Sequence, residues 1–327
     1  MVLAGAAKEP LVGGQAVMEG VMMRHGAVYA LAVRHPDGSI VVERRPWFSL
    51  TQASFLSKPF VRGFPTLIET LVNGIKALNR SAQQSAEGAG EEIQGWQLVT
   101  TLLLALSLAV ALFVVTPHLM SIGMHWLNLG GGVEGLSFHL WDGVFKFCIF
   151  IGYIVLISFV PDIRRVFRYH GAEHKVIRAF EAEGEISAQE AARYSRLHPR
   201  CGTTFLLFVL SISILLHAVL VPLLFMFWTP EHAVSKHAAA IIFKLLLMIP
   251  ISSLAYELIR YAATLGDTWI GAVLRAPGML LQMLTTYEPD KEHIEVAVAA
   301  LAEALGEEAP ERLHAPAYQP MESTTAS

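Results

Sequence analysis

The sequence predicts a mainly α-helical, polytopic membrane protein with about four transmembrane helices and a small cytoplasmic α+β cap that contains a β-hairpin. Of its 327 residues, 54% are hydrophobic and only 16% are charged, which is unusual for a soluble protein. Four apolar runs are long enough to cross a hydrocarbon core of about 30 Å as helices. They cover residues 97–116, 143–160, 203–228 and 238–258.

The Lys and Arg residues outside these runs alternate between the segments that the runs separate. Nine precede residue 97, none falls in 117–142, eight fall in 161–202, one in 229–237 and four after 258. Because Lys and Arg are retained on the cytoplasmic side, we predict a multi-pass protein of the bacterial inner membrane with both termini in the cytoplasm. Lys146 and Lys244 lie inside runs, near the ends that this topology places outside, and we expect them to snorkel to the outer interface.

Residues 1–96 form the predicted cytoplasmic N-terminal region. Apolar and polar residues alternate on either side of an Asp-Gly turn at 36–38, which predicts a β-hairpin. Downstream, 65–82 has apolar residues at helical spacing, with Glu69 and Asn73 among the polar residues opposite. This segment is predicted to be an amphipathic helix that lies either on the bilayer surface or against the cap.

The transmembrane domain is predicted to extend over 97–258 and to include a cytoplasmic helical hairpin at 161–202. Its first helix continues the second apolar run to about residue 180. A capping box at Ser187 opens the second helix, and Pro199 must end it.

The C-terminal segment, 259–327, is predicted to be cytoplasmic. The apolar stretch 274–284 is too short to cross a membrane and is broken by a Pro-Gly pair, so we expect an interfacial helix. Asp290 is expected to cap an Ala-rich helix that ends at Leu305, and the tail beyond it is expected to be disordered.

Two histidines, His170 and His174, lie four residues apart in the sequence HGAEH, with Glu173 between them. On a helix such residues share one face at about 5–6 Å, so the two imidazoles could chelate one metal ion. In the inverted zinc-peptidase pattern, the glutamate activates a water on the metal. The same residues also fit a solvated helix face, so the pattern alone leaves both interpretations open.

A second motif, HPRC, contributes His198 and Cys201. The predicted helical hairpin folds it back towards the first motif, and all four side chains are acceptable ligands of one tetrahedral ion. We therefore predict a divalent metal, zinc, at His170, His174, His198 and Cys201. Four bound ligands would make a closed structural site, whereas three would leave a position for water and a role for Glu173. Alternatively, His198 and Cys201 are ordinary residues at a helix entry.

Several other polar residues have two interpretations each. Glu19 is either a ligand or general base near the membrane surface, or a residue at an exposed strand edge. Glu288, in a tight turn, has the same two interpretations. His217, in the middle of the third run, is either a neutral imidazole bonded to a neighbouring helix or part of a proton or ion relay. Cys148 and Cys201 would have to pair across the membrane, so no disulfide is expected.

Five stretches of the sequence resemble the YqhQ-like family of bacterial membrane proteins. They read VGGQAVMEGVMMR, RHPDGSIVVE, YHGAEHKVI, YSRLHPRCGTTF and APGMLLQMLTTYEPD, and the resemblance covers about residues 11–305. The family is a domain of unknown function that has been labelled a predicted metal-dependent enzyme. Tyr287 departs from the family pattern, which has Arg there, and Phe180 replaces the more usual Tyr. The matching positions, for which the resemblance implies a functional role, are Gly13, Gly14, Gln15, Glu19, Arg24, His170, Glu173, His174, Lys175, Arg196, His198, Pro199, Arg200, Cys201, Gly202, Gln282, Thr285, Thr286, Glu288 and Pro289.

Two functional hypotheses follow. The first is a metal-dependent hydrolase at the cytoplasmic membrane face, in which Glu173 or Glu19 handles protons. The second is a non-enzymatic membrane scaffold or accessory subunit that docks a partner through its cytoplasmic motif surface, any metal being structural. A transporter is a third hypothesis that only His217 favours. The expected partners are membrane lipid and either another protein or a second copy of the chain, and the net charge of -4, spread along the chain, indicates no nucleic acid.

Overall fold

The computed structural model describes residues 12–88, 90, 93–266 and 268–321 of the chain. Five strands form one sheet in the order β1-β2-β3-β4-β5. Strands β1 to β4 pair with one another antiparallel, whereas β5 is parallel to β4. The strands are β1 (Val12–Val17), β2 (Gly20–His25), β3 (Val28–Arg34), β4 (Ile40–Pro46) and β5 (Gln319–Met321).

Most of the remaining described chain is helical. A π-helical turn, Ala111–Val115, joins the second and third helices without a break. The helices are α1 (Gly63–Gly88), α2 (Gly95–Val110), α3 (Thr116–Trp126), α4 (Leu136–Ile157), α5 (Pro161–Glu181), α6 (Ala188–Ala191), α7 (Gly202–Phe227), α8 (Ala233–Leu246), α9 (Met248–Thr264), α10 (Trp269–Thr285) and α11 (Lys291–Leu305).

Within the described residues, four helical stretches are long and apolar enough to cross a membrane, and they overlap the four predicted runs. The stretches are Gly95–Trp126, Leu136–Ile157, Gly202–Phe227 and Ala233–Thr264. The prediction of a mainly helical chain with four such helices and a small sheet is therefore confirmed.

The predicted hairpin at the Asp-Gly turn is β3–β4, in which Val33 pairs with Val41 and Gly38 adopts a φ of 86°. This φ lies in the left-handed region that glycine adopts without strain. A further hairpin, β1–β2, turns at Glu19, which has a φ of 50°. Glu19 is therefore a turn residue between two strands.

Both faces of the sheet are buried. One face packs against α5 and α11 and includes Val21, Met23, Ala30 and Val42. The other face includes Val17 and Leu31 and contacts Ala77 of α1 and Trp47, the residue after β4. Because two helical layers cover the sheet, its central strands are apolar on both sides, as is typical of a sheet between two layers.

Helix α1 buries the side that the sequence marks as polar. Glu69 and Asn73 are buried, whereas Leu71 is 52% exposed and Leu78 is 44% exposed. Asn73 bonds both the N–H and the C=O of Phe48, and Glu69 accepts bonds from the loop that follows β4. The apolar side faces outward, so the helix does not bury its leucines against the cap.

The connector between α5 and α7 differs from the predicted helical hairpin. Ser187 does cap a helix, with its hydroxyl accepting from the N–H of Glu190, but α6 is only a single turn. The chain then continues to Gly202 in irregular conformation because three of its carbonyl groups accept from side chains of α5 instead of from backbone N–H groups of a helix.

The C-terminal segment also differs from the prediction. Helix α10 continues through Pro277 without a break, and the following Gly278 lets it pack against Thr204 of α7. Asp290 precedes α11, but its carboxylate pairs with Arg168 instead of capping the helix. The tail, expected to be disordered, adds β5 to the sheet as far as Met321, and residues 322–327 lie outside the described part.

The expected snorkelling of two lysines is wrong. Lys146 and Lys244 are 7% and 2% exposed, and both contact the carboxylate of Asp142 inside the helix bundle. Inside the bundle, the two ammonium groups contact the Asp142 carboxylate instead of water at the outer interface.

We predict that Glu69→Gln destabilises the cap by about 1–3 kcal/mol at neutral pH. The carboxylate accepts bonds from the N–H groups of Leu50 (2.5 Å) and Thr51 (2.6 Å) and from the hydroxyl groups of Ser49 and Thr51 (both 2.9 Å). Burial alone would raise the pKa of Glu69, but these bonds hold it below its usual value. A folded pKa below the unfolded one gives stability that is present above the unfolded value and is lost as the pH falls through the folded value.

Thermal unfolding of the purified protein in detergent measures this effect. The difference between wild type and Glu69→Gln should therefore shrink towards acidic pH. Glu87→Gln is the control. Glu87 is a half-exposed residue at the end of the same helix, so this change should alter stability by less than about 0.5 kcal/mol. Equal stabilities of Glu69→Gln and wild type at neutral pH would contradict the prediction.

Candidate metal centre

Three side chains from two helices meet beside the cap. Helix α5 presents His170 and His174 on one face, with ring centroids 4.4 Å apart. Cys201 precedes α7 as its N-terminal cap residue. One ligand atom from each of the three residues lies within 4.8 Å of the other two.

Backbone carbonyl groups fix the tautomers of both histidines. Nδ1 of His170 is 2.9 Å from the carbonyl oxygen of Thr285, and Nδ1 of His174 is 2.5 Å from that of Arg196. A carbonyl can only accept, so each Nδ1 carries the proton and each Nε2 keeps a lone pair. Metal-bound histidines are held in this way, with the second nitrogen donating to a carbonyl or carboxylate.

Both free lone pairs belong to the same small group of atoms as the thiol. Nε2 of His170 is 3.2 Å from Sγ of Cys201. Nε2 of His174 is buried without a hydrogen-bond partner among the described residues. Burial lowers the pKa of His174, although the nearby Cys201 partly offsets this, so the ring stays neutral and able to act as a ligand.

Cys201 is held by the start of α7. Its sulfur accepts from the N–H of Thr203 at 3.5 Å and from the hydroxyl group at 3.3 Å. At this position the sulfur faces N–H groups of the first helical turn that have no partner within the helix. The other cysteine, Cys148, is exposed on α4, so the expectation of no disulfide agrees with two free thiols.

His198 lies beside this group, but its ring nitrogens have other partners. Its ring centroid is 5.7 Å from that of His174. Nδ1 of His198 accepts from the N–H of Arg200, and Nε2 lies 3.2 Å from a carboxylate oxygen of Glu181. The structure thus brings three of the four predicted ligands together and gives the fourth a carboxylate partner.

Glu181 is charged in this arrangement. Burial alone would raise its pKa, but the hydrogen bond from His198 and the nearby Arg200 guanidinium hold it below the usual range. Arg200 also donates to the same carboxylate. His198 and Arg200 are therefore fixed by one anion next to the candidate ligands.

The two predicted catalytic carboxylates lie outside the ligand group. Glu173 packs against β1, where a Cβ on Gly14 would be only 2.7 Å from its Cγ. Its carboxyl group has no hydrogen bond or ion pair among the described residues. Burial raises the pKa of Glu173 to about 7, and the nearby His170 lowers this pKa by a smaller amount. Glu19 instead pairs with Arg165 at 2.5 Å.

Side chains of α5 and α10 hold the backbone at the HPRC turn in place. The side-chain amide of Gln282 bonds both the N–H and the C=O of His198, each at 2.8 Å. Arg178 donates to the carbonyl of Leu197 at 2.7 Å. Spacing in the sequence gave no sign of the Gln282 contact; only the resemblance marked this residue.

Lys175, which is buried, forms an ion pair with Glu288, which is exposed. The Lys175 ammonium donates to the carbonyl groups of Ala192 and Tyr194, both at 2.8 Å, and lies 2.6 Å from the Glu288 carboxylate. Glu288 therefore pairs with α5 and is not part of the ligand group.

A cavity of about 170 Å³ adjoins the turn. Polar lining comes from Glu181 and Arg200, which neighbour the candidate centre, and from Arg275 of α10. Apolar lining comes from the ends of α7 and α9, including Phe208 and Ile259. The cavity gives a small amphiphilic molecule space next to the HPRC turn.

Comparisons with known proteins identify relatives but no activity. Residues 58–307 match the model of a family described as "Protein of unknown function (DUF1385)". The uncharacterized protein YqhQ of Bacillus subtilis (strain 168) is 32% identical over 315 residues, which cover 92% of this chain and 94% of that protein. No solved structure matches the chain.

We predict that Gly171→Ala destabilises the protein by about 1–3 kcal/mol, because the new methyl group would overlap the Tyr287 carbonyl oxygen. The displaced segment includes Thr285, whose carbonyl orients His170. Thermal unfolding in detergent measures the loss. Gly152→Ala on α4 is the control, since a Cβ there meets nothing within 4 Å and Ala is the better helix former. A Gly171→Ala protein as stable as the control would contradict this packing.

Proposed function

The chain belongs to the DUF1385 family, the YqhQ-like proteins of unknown function, and we propose that it is a membrane protein that holds one divalent metal ion at His170, His174 and Cys201 and uses it for hydrolysis. The observation that carries the proposal is the pair of Nδ1–H groups bonded to carbonyls. This pairing leaves two Nε2 lone pairs free, and one ligand atom from each of His170, His174 and Cys201 lies within 4.8 Å of the other two. Two imidazoles and a thiolate suit zinc best.

Three protein ligands favour a catalytic metal. Structural zinc sites close with four protein ligands, whereas catalytic sites keep a position for water or substrate. When bound, the metal supplies Lewis acidity towards the substrate. Glu173, one residue before His174 on α5, is the carboxylate that we assign as general base. Its side chain would have to turn from β1 towards the ligand group, and no hydrogen bond or ion pair among the described residues holds it against β1, whereas Glu19 is paired with Arg165. The cavity that Glu181 and Arg200 line is the proposed substrate site.

A second candidate function is supported by the position of His198. Its ring is close to that of His174, so rotation away from Glu181 would add a fourth ligand and close the site. The metal would then be structural, and the protein would act as a non-enzymatic scaffold or accessory subunit.

The membrane arrangement is part of the proposal. Four helices have the length and composition to span a bilayer. Nine Lys/Arg precede the first of these four helices, and eight lie between the second and the third. The segment 117–142, between the first and the second, carries none. We therefore assign the cap and the metal centre to the cytoplasmic side of the bacterial inner membrane.

We predict about one equivalent of zinc per chain in detergent-purified protein, measured by elemental analysis. His174→Ala and Cys201→Ser should each lower the metal content to below about a tenth, because each removes one of only three ligands. Cys148→Ser and His314→Ala, which change a cysteine and a histidine outside the group, are matched controls and should retain the metal. A metal-free wild type, purified without chelator and after zinc supplementation, would refute the proposal.

Cobalt substitution separates the two candidate functions. In the Co²⁺ protein, an open site should change its visible spectrum when a small anionic ligand such as cyanide is added, and His198→Ala should leave the spectrum unchanged. A spectrum that ignores the added ligand but changes in His198→Ala would support the closed, structural site. The thiolate charge-transfer band should disappear in Cys201→Ser under either candidate.

A further inference from the structure

A second group of ionisable side chains lies inside the helix bundle, at the end away from the metal centre. His217 is fifteen residues beyond the start of α7, or about 22 Å along the helix from Gly202. Four helices contribute side chains, and we call the group the Asp142 cluster. Its members are His118 of α3, His139, Asp142 and Lys146 of α4, His217 of α7, and His237 and Lys244 of α8.

Asp142 is shared by both lysines. One carboxylate oxygen is 2.9 Å from Nζ of Lys244, and the other is 3.4 Å from Nζ of Lys146. All three side chains are less than a tenth exposed. Among the described residues, Asp142 is the only carboxylate in contact with either ammonium. The two lysines and one aspartate therefore leave one excess positive charge inside the bundle.

The lysines also fix the tautomers of two histidines. Nζ of Lys146 is 3.4 Å from Nδ1 of His217, and Nζ of Lys244 is 3.4 Å from Nδ1 of His118. An ammonium group has no lone pair, so each Nδ1 accepts and each Nε2 carries the proton. The Nε2–H of His118 donates to Nδ1 of His237 at 2.9 Å. The Nε2–H of His217 is buried and has no partner among the described residues.

Counting donors and acceptors shows what the cluster lacks. Each ammonium has three N–H groups and two polar contacts, so Lys146 and Lys244 each retain one N–H, and His217 retains another. Two acceptors are left without a hydrogen bond among the described residues. They are Nδ1 of His139, whose Nε2–H donates to the carbonyl of Val133, and Oδ1 of Asp142, whose contact with Lys244 is ionic only. Unmatched donors and an uncompensated charge are both costly in an interior. A bound anion would satisfy both.

We propose that the Asp142 cluster binds one small monovalent inorganic anion, of which chloride is the probe, through Lys146, Lys244 and His217. The charge of the occupant follows from the single excess positive charge. Its small size follows from the enclosure of all three donors, which are 7%, 2% and 4% exposed. The site is separate from the metal centre and does not depend on metal binding.

Thermal unfolding of the full-length protein in detergent tests the proposal, with chloride compared with gluconate at equal ionic strength and neutral pH. Chloride at about 100 times its Kd should raise the melting temperature by about 5 °C. Lys146→Met removes the excess charge, so this variant should lose the chloride dependence. It should also melt no lower than wild type in gluconate.

Lys236→Met is the matched control. Lys236 is also on α8, but it pairs with Glu134 outside the cluster, so this variant should keep the full chloride shift. His217→Leu keeps every charge and removes one donor, so the chloride Kd should rise about tenfold, which corresponds to one hydrogen bond of about 1.4 kcal/mol. It also serves as the test variant if Lys146→Met does not fold.

Two outcomes would overturn the proposal. One is a wild type that melts at the same temperature in chloride and gluconate. The other is an equal chloride shift in wild type, Lys146→Met, His217→Leu and Lys236→Met, which would be a general salt effect. Metal content should be the same in all four proteins, so these results are independent of the proposed hydrolase function.

Discussion

The irregular backbone between α6 and α7 has carbonyl groups that must find donors, and α5 provides them. Lys175, His174 and Arg178 together donate to four of these carbonyls, from Ala192 to Leu197. Buried backbone groups cannot be left without partners at low cost, so the sequence of donors along α5 determines the path of the chain. The same contacts direct the free nitrogens of the histidines towards Cys201. One set of hydrogen bonds therefore both positions the loop and orients the candidate ligands.

Length and local pattern predicted the apolar helices and the β3–β4 hairpin, but not which side of a helix faces inward. Periodicity groups Glu69 with Asn73 and separates them from Leu71 and Leu78. It does not reveal that backbone N–H groups of the loop after β4 need an acceptor, and this need turns the polar side of α1 inward. The one-turn α6 has a similar cause, since side chains of α5 bond to carbonyls that a longer helix would have used.

The grouping of the candidate ligands could be predicted in part because two motifs, and a chain reversal between them, were visible in the sequence. The role of His198 could not be, because it depends on which ring nitrogens are free, and Glu181 and the Arg200 N–H occupy them. The contact of Lys146 and Lys244 with Asp142 could not be predicted for a simpler reason. Asp142 lies one residue before the predicted run, in the segment between two runs, whereas α4 begins at Leu136 and brings Asp142 within one turn of Lys146.

The order in which the sheet and its cover are synthesised has a consequence for how this protein is made. Strands β1 to β4 leave the ribosome before the apolar helices, whereas α11, which packs on one face of the strands, is translated after those helices. The four long apolar helices are made in between. A nascent chain must therefore keep an incomplete, apolar sheet surface from aggregating while its membrane segments insert. A chain that stops before Leu305 would have every strand of the β1–β4 meander and no complete core.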